Sequence, residues 1–239
     1  MLTKKTMKRN DFLKNSMGLF GASFLLNSCH TSAEEVSPES TTDACSVTTE
    51  SIEGPYPYPD GGELANPLNR TDITGGQSGV PLTITFQVVN ANSNCAAVSN
   101  ARIDIWYCNK DGYYSGYDGQ SGPLGVKGYV GETWLRGYQV SNSTGKATFK
   151  GIYPGWYDGR ATHIHLEVFI DNVLKKTAQI TFSETISDAV HASSGYQGTN
   201  PVRNAKDAAF WTDESILTVA TLGSVSEGYT GTYTIGLAL

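Results

Sequence analysis

The chain predicts an all-β fold: an antiparallel β-sandwich with long loops that carry the chemistry, and little helix. Three observations point there. In PLTITFQVVN, Leu82, Ile84, Phe86 and Val88 alternate with Thr83, Thr85 and Gln87, the two-residue period of a strand with one buried face. From residue 80 onward, short runs rich in β-branched and aromatic residues are separated by clusters of Gly, Asn, Asp and Ser. Helical periodicity is nearly absent, and no internal repeat is found.

The first 28 residues differ from the rest. Lys4, Lys5, Lys8, Arg9 and Lys14 precede a short apolar run, GLFGASFLLNSC, which ends at Cys29. That is the pattern of a bacterial signal peptide. The run falls short of the roughly 20 apolar residues a spanning helix needs. LLNSC resembles a lipoprotein cleavage site, so Cys29 is expected to bear lipid and to anchor an exported protein in the cell envelope, facing the periplasm or the surface. KRNDFLK resembles a twin-arginine signal with Asn10 in place of the second arginine, which leaves the export route open. Residues 30 to 44, HTSAEEVSPESTTDA, have the composition of a disordered tether. The folded domain is expected over 45–239.

Loss of residues 1 to 28 removes five Lys/Arg and one Asp and moves the formal charge from −6 to −10. So acidic a surface excludes a nucleic-acid partner. Cys45, Cys95 and Cys108 remain in a compartment that permits disulfides. One pair can form; Cys45 with Cys108 is the preferred pairing, though sequence does not decide it. Their spacing matches no zinc ribbon.

After the run at 82 to 88, further strands are expected at 101 to 108, 133 to 141, 146 to 152, 162 to 170, 176 to 182 and 228 to 238. NSTG at 142 to 145 reads as a hairpin turn. The connections at 111 to 131 and 184 to 212 are too long for hairpins, and long loops on a β scaffold are where binding chemistry concentrates.

In THIHLEVFI, His163 and His165 stand two apart. On a strand they project side by side while Ile164, Leu166 and Val168 face the core, so the pair is placed to share one metal. The ordinary alternative is two half-exposed polar residues near a strand end. Glu167 lies on the same face and offers a two-His, one-carboxylate site, but four strand positions put it about 13 Å from His163. Thirteen tyrosines are present, and GYYSGYD at 112 to 118 and PGWYDGR at 154 to 160 set phenols beside glycines in loops. A phenol, with a free pKa of about 10, becomes a metal ligand only for a strongly Lewis-acidic ion such as ferric iron.

With these residues in hand, IDIWYCNKDGYY followed by PGWY and RATHIH resembles the intradiol ring-cleavage dioxygenases, non-haem Fe(III) enzymes that split catechols between their two hydroxyls. The resemblance implies Tyr114, in G-x-Y, and Tyr157, in P-G-x-Y, as phenolate ligands, with His163 and His165 completing the metal set. It implies Arg160, in R-x-x-H-x-H, and Gln179, in TAQITF, as residues at the reacting substrate, with Tyr157 also acting as base. EGPYPYP at 53 to 59 resembles the segment that helps wall the pocket. Tyr113 and Tyr117 are expected to be packing or rim aromatics, and His30 and His191 are assigned no role.

The implied partners are a catechol-type substrate and dioxygen, and the implied product is a cis,cis-muconate-type diacid. The resemblance covers roughly residues 50 to 183. Tyr157 and His163 stand only six positions apart, a shorter gap than in the enzymes of soluble catechol pathways. No helical dimerisation segment precedes EGPY, so no dimer of that kind is implied. Both departures, with the export signal, resemble the short extracellular branch of the family. Two competing classes are a non-catalytic β-sandwich lipoprotein that binds a ligand or carbohydrate, and a zinc hydrolase built on the histidine pair. The first has no need of a Tyr/Tyr/His/His set, and the second lacks an evident third ligand.

Overall fold

The computed structural model describes residues 46–58, 67–193, 195–210 and 217–239, all within a unit spanning Thr41–Leu239. The expected leader, the lipid-bearing Cys29, the tether and Cys45 lie outside the described residues.

Among the described residues eleven strands follow in chain order: β1 (Pro81–Asn90), β2 (Ala96–Ala97), β3 (Arg102–Trp106), β4 (Gln120–Gly122), β5 (Gly125–Lys127), β6 (Arg136–Val140), β7 (Lys146–Ile152), β8 (His163–Ile170), β9 (Val173–Thr181), β10 (Ala220–Ser224) and β11 (Gly228–Leu237). One sheet runs β10-β11-β1-β2 with β7 also paired to β1, a second runs β6-β3-β8-β9, and β4-β5 form a small hairpin. Most pairings are antiparallel, but β1 and β11 run parallel, from Leu82 opposite Tyr229 to Asn90 opposite Leu237.

The two larger sheets face each other as a sandwich. Leu82, Ile84, Phe86 and Val88 of β1, Phe149 of β7 and Ile235 of β11 meet Ile103 and Ile105 of β3, Ile164, Leu166 and Val168 of β8 and Ile180 of β9 in one continuous core. The alternation along β1 is thus read out directly as one buried and one half-exposed face. Strand β8 behaves differently, since seven of its eight residues are buried. Its outer face is covered as well, by the segment 46–58 and by the loops after β3 and β7. That segment is anchored at both ends: Thr48 N–H donates to the Gly236 carbonyl (2.9 Å) and Ser51 N–H to that of Thr177 (3.0 Å), while the Tyr58 hydroxyl reaches the carbonyls of Ile105 (3.0 Å) and Gly137 (3.2 Å).

Four sequence expectations need correction. NSTG is a tight turn, with Asn142 Oδ1 accepting from Thr144 N–H and Lys146 N–H and Gly145 at φ +76°. The strands it joins belong to different sheets, however, so it carries the chain across the sandwich rather than closing a hairpin. The connection at 184 to 212 contains an α-helix, α1 (Glu184–His191), and the one at 111 to 131 contains the β4-β5 hairpin. His191 therefore ends a helix rather than sitting in a loop; it is buried, its Nε2 bonding the Pro154 carbonyl at 3.1 Å. Finally, Cys108 is a free, buried thiol and Cys95 is the disulfide-bonded one. Cys108 packs under Tyr58, Trp106 and Tyr114, whereas Cys95 lies on the turn after β1, and its partner falls outside the described residues.

Candidate metal centre

The centre is built on β8. His163 and His165 project from its outer face and are buried (2% and 1% exposed). The pairing of β8 sets their neighbours: Trp106 of β3 and Gln179 of β9 lie opposite His165, and Thr181 lies opposite His163. The Trp106 indole stacks on the His165 ring, nearly parallel at 5.1 Å between centroids. On the other side, Gly54 of EGPY comes so close that a Cβ there would meet His165 Cε1 at 2.8 Å. The imidazole is held between the two.

The two tyrosine loops are fastened to each other and to the scaffold. Gln120 clamps Tyr114, its Oε1 accepting from Tyr114 N–H and its Nε2 donating to the Tyr114 carbonyl, both at 2.7 Å. Gly155 of PGWY approaches so near the Asn109 and Lys110 carbonyls that a Cβ would lie 2.5 and 2.6 Å from them. The Trp156 indole N–H donates to the Gly198 carbonyl (2.8 Å). Arg136, buried and fully enclosed, ties the loop of Tyr114 to the EGPY segment: its guanidinium donates to the carbonyls of Tyr56 (3.0 Å), Pro57 (2.8 Å) and Ser115 (2.9 Å).

These supports bring Tyr114 Oη to 3.3 Å from His163 Nε2 and 3.2 Å from His165 Nε2, with the two Nε2 atoms 3.0 Å apart. Tyr157 borders the same point, its ring 5.7 Å from that of Tyr114 and 5.6 Å from that of His163. Arg160 Nη1 donates to Tyr157 Oη at 3.3 Å, and Nη2 donates to Gln179 Oε1. Gln179 Nε2 in turn donates to the Ile52 carbonyl (2.8 Å). All six residues singled out by the sequence, Tyr114, Tyr157, Arg160, His163, His165 and Gln179, thus meet at one place.

Tyr113 and Tyr117 point elsewhere: the Tyr113 hydroxyl donates to the Gly125 carbonyl (2.7 Å) and that of Tyr117 to Pro57 (2.8 Å). Glu167 faces Asp104 across β3 and accepts from Thr177 Oγ1 at 3.0 Å. Arg136, Trp106 and Asp207, the buried partner of Arg160 (2.9 Å), escaped the sequence reading, whereas Gly54 belongs to the EGPYPYP segment expected to wall the pocket. Trp106 becomes visible only once β3 is known to pair with β8.

Burial dominates the electrostatics. It pushes the His163 imidazole down to about 3, with the Arg160 charge adding to the effect, and it drives His165 in the same direction. Burial also raises both phenols, Tyr114 well above its ordinary value and Tyr157 to about 12, where the charge and hydrogen bond of Arg160 hold it back. At neutral pH the four groups are therefore two neutral imidazoles and two neutral phenols.

His163 Nδ1 donates to the Ala161 carbonyl at 2.6 Å, which leaves a lone pair on its Nε2. Neither imidazole takes a second proton, and the buried His165 Nδ1 has no hydrogen-bond partner. Two imidazole nitrogens and a phenol oxygen thus crowd within 3.3 Å of one another. A cation relieves such a cluster, and neutral nitrogens joined by phenols suit a strongly Lewis-acidic one. Among the described residues no group of three or more His, Cys, Asp or Glu comes together; the groups that meet the histidine pair are phenols.

Comparison with known proteins places the chain in a family. The sequence model described as "Dioxygenase" matches residues 52–207. An intradiol ring-cleavage dioxygenase from Tetranychus urticae is 26% identical, with a TM-score of 0.70 over 81% of this chain and 95% of that one. The dioxygenase domain of a dioxygenase carbohydrate-binding protein fusion from Streptomyces sp. SirexAA-E is 26% identical, with a TM-score of 0.58 over 81% of this chain and 99% of that one. The 3-chlorocatechol 1,2-dioxygenase of Rhodococcus opacus 1CP, at 19% identity and a TM-score of 0.54 over 80% and 72% of the two chains, shares the fold. With more than half its length matched by the family model, the chain belongs to the intradiol ring-cleavage dioxygenases.

Proposed function

We propose that the protein is a non-haem Fe(III) enzyme that cleaves a catechol-type ring between its hydroxyls, using dioxygen to give a cis,cis-muconate-type diacid. The observation that carries this reading is the buried contact of Tyr114 Oη with two imidazole nitrogens that burial keeps neutral. Tyr114, Tyr157, His163 and His165 would hold the iron, which when bound supplies Lewis acidity toward both catechol oxygens and makes the ring reactive toward dioxygen.

The chain's own groups divide the remaining work. Tyr114 is fully enclosed, whereas Tyr157 is half-buried and so is the phenol open to an arriving substrate. Its oxygen is the group placed to take a proton from the catechol, and a phenol held near a pKa of about 12 keeps that proton at neutral pH. Arg160 Nη1, bonded to Tyr157 Oη, stays in place to stabilise negative charge on oxygen as it develops, and Gln179 stands beside it. Tyr56, whose ring lies 4.8 Å from Tyr114 and 6.2 Å from Tyr157, walls the site and limits water. The proposal extends to the leader, with Cys29 carrying lipid and the domain tethered in the bacterial envelope; fatty-acid labelling that C29A abolishes is the expected result.

The test of the activity is the visible spectrum of the full chain purified with iron, taken before and after anaerobic addition of catechol. Phenolate bound to ferric iron absorbs visible light, so a coloured protein whose band shifts with catechol is expected. A protein that is colourless and binds no iron refutes the proposal.

A further inference from the structure

We infer that Asp207 is a positioning residue for this site, acting on both of its halves without touching the reacting groups. The inference rests on the roles proposed for Arg160, Tyr157 and His163. Asp207 lies in the long connection after α1, and its side chain is wholly inaccessible to solvent. Three donors converge on its two oxygens. Arg160 Nε reaches Oδ1 at 3.0 Å and Oδ2 at 2.9 Å, Ala161 N–H reaches Oδ2 at 2.7 Å, and Ala209 N–H reaches Oδ1 at 2.8 Å.

The first contact aims the guanidinium. Because the carboxylate engages Nε, Nη1 and Nη2 are left to face Tyr157 Oη and Gln179 Oε1. An arginine fork is planar, so fixing one edge fixes the direction of the other. Phe210 lies 5.9 Å from the Arg160 guanidinium carbon and packs with Ala161 and Leu217; in that apolar surround the pair is shielded from water and its geometry is held more firmly.

The second contact reaches His163. The peptide unit of Ala161 is held at its N–H by Asp207, and the carbonyl of the same residue accepts from His163 Nδ1 at 2.6 Å. Asp207 thereby supports the bond that selects the Nδ1–H tautomer and turns the Nε2 lone pair toward Tyr114. Support of this kind, one residue removed from a ligand, typically accounts for 10- to 100-fold in metal affinity or activity. Asn in this position has one acceptor oxygen for the two backbone donors, so either the Ala161 or the Ala209 bond is lost and an amide N–H is set against a donor.

The experiment compares D207N, D207E and the unaltered full chain, with D188N as control. Asp188 makes the same kind of pair with Arg203, at 2.9 Å, but in the open, and its carboxylate bonds none of the site residues. Two quantities are read: the imidazole N–H resonance of His163 in the iron-free protein by NMR, and kcat with catechol after iron loading alongside catechol affinity from anaerobic spectral titration. For D207N the expected result is a shifted or exchange-broadened His163 resonance and kcat lowered about 10- to 100-fold with a smaller change in affinity, while D188N keeps both. A D207N protein with an unmoved resonance and unaltered kcat overturns the inference. Should D207N fail to fold, D207E decides it: the carboxylate is kept but moved by one methylene, and a wild-type kcat and resonance there overturn the inference equally. An unaltered chain that takes up no iron refutes the proposed function instead, and the His163 resonance still decides whether Asp207 positions that ring.

Discussion

Replacing Gly54 with alanine tests how the EGPY segment holds the centre. Gly54 has φ +76°, in the left-handed region, and a Cβ placed there meets His165 Cε1 at 2.8 Å. The imidazole has little room to yield, since Trp106 is stacked against it. The backbone conformation alone costs a residue with a Cβ about 1 to 2 kcal/mol, and forcing a methyl into a packed contact adds about 1 to 3 kcal/mol. Gly76 supplies the matched reference, with φ +84° and nothing within 4 Å of the point where a methyl would stand. G76A is therefore expected to lose about 1 to 2 kcal/mol, and G54A about 2 to 5 kcal/mol, in urea unfolding of the iron-free protein. G54A alone should also weaken iron uptake, measured by competition with a chelator, because relief of the clash tilts the His165 ring. If G54A is no more destabilising than G76A and takes up iron as the parent does, His165 is not pinned by this segment and the account of the wall is wrong.

Three further outcomes are expected. The iron-free protein should lose stability as acid is added, because His163 and His165 stay neutral when folded but accept protons when unfolded. With unfolded values near 6.5 and His163 folded near 3, stability is at its plateau above about pH 6.5 and declines below it, by about 1 to 2 kcal/mol per pH unit for each histidine; H163N should reduce the slope in a pH series of urea unfolding curves. R136M should destabilise by about 3 to 5 kcal/mol, since it strips donors from the half-buried carbonyls of Tyr56 and Pro57 and the buried one of Ser115; a loss under about 1 kcal/mol in the same assay would contradict the role given to it. Iron binding should release protons from the two raised phenols, so chelator competition should show affinity rising with pH, and Y157F should reduce the proton release.

Much of the site was legible because its pieces are local. The H-x-H spacing needs only the two-residue period of a strand to put both imidazoles on one face, and β8 delivers it. The glycines of GYY and PGWY mark loops where phenols are free to face a site, and close backbone approach at Gly112 and Gly155 gives the reason for them. The disulfide was not legible, since pairing depends on which cysteine the core encloses, and the thiol of Cys108 lies under the aromatic cluster.

By itself the sequence determined the sandwich class and the faces of β1 and β8, because alternation is a property of consecutive residues, while the six residues that converge were implied by the resemblance of its short motifs to the intradiol dioxygenases. Only the tertiary structure decided that β11 runs parallel to β1, that NSTG crosses between sheets, and that Trp106, Arg136 and Asp207 support the centre. Each of these depends on a contact between distant parts of the chain; Arg136 meets Tyr56, and Asp207 meets Arg160, only after two sheets and two long loops have packed. Which residues carry the chemistry is written in short motifs, while what holds them rigid is set by the packing that buries them.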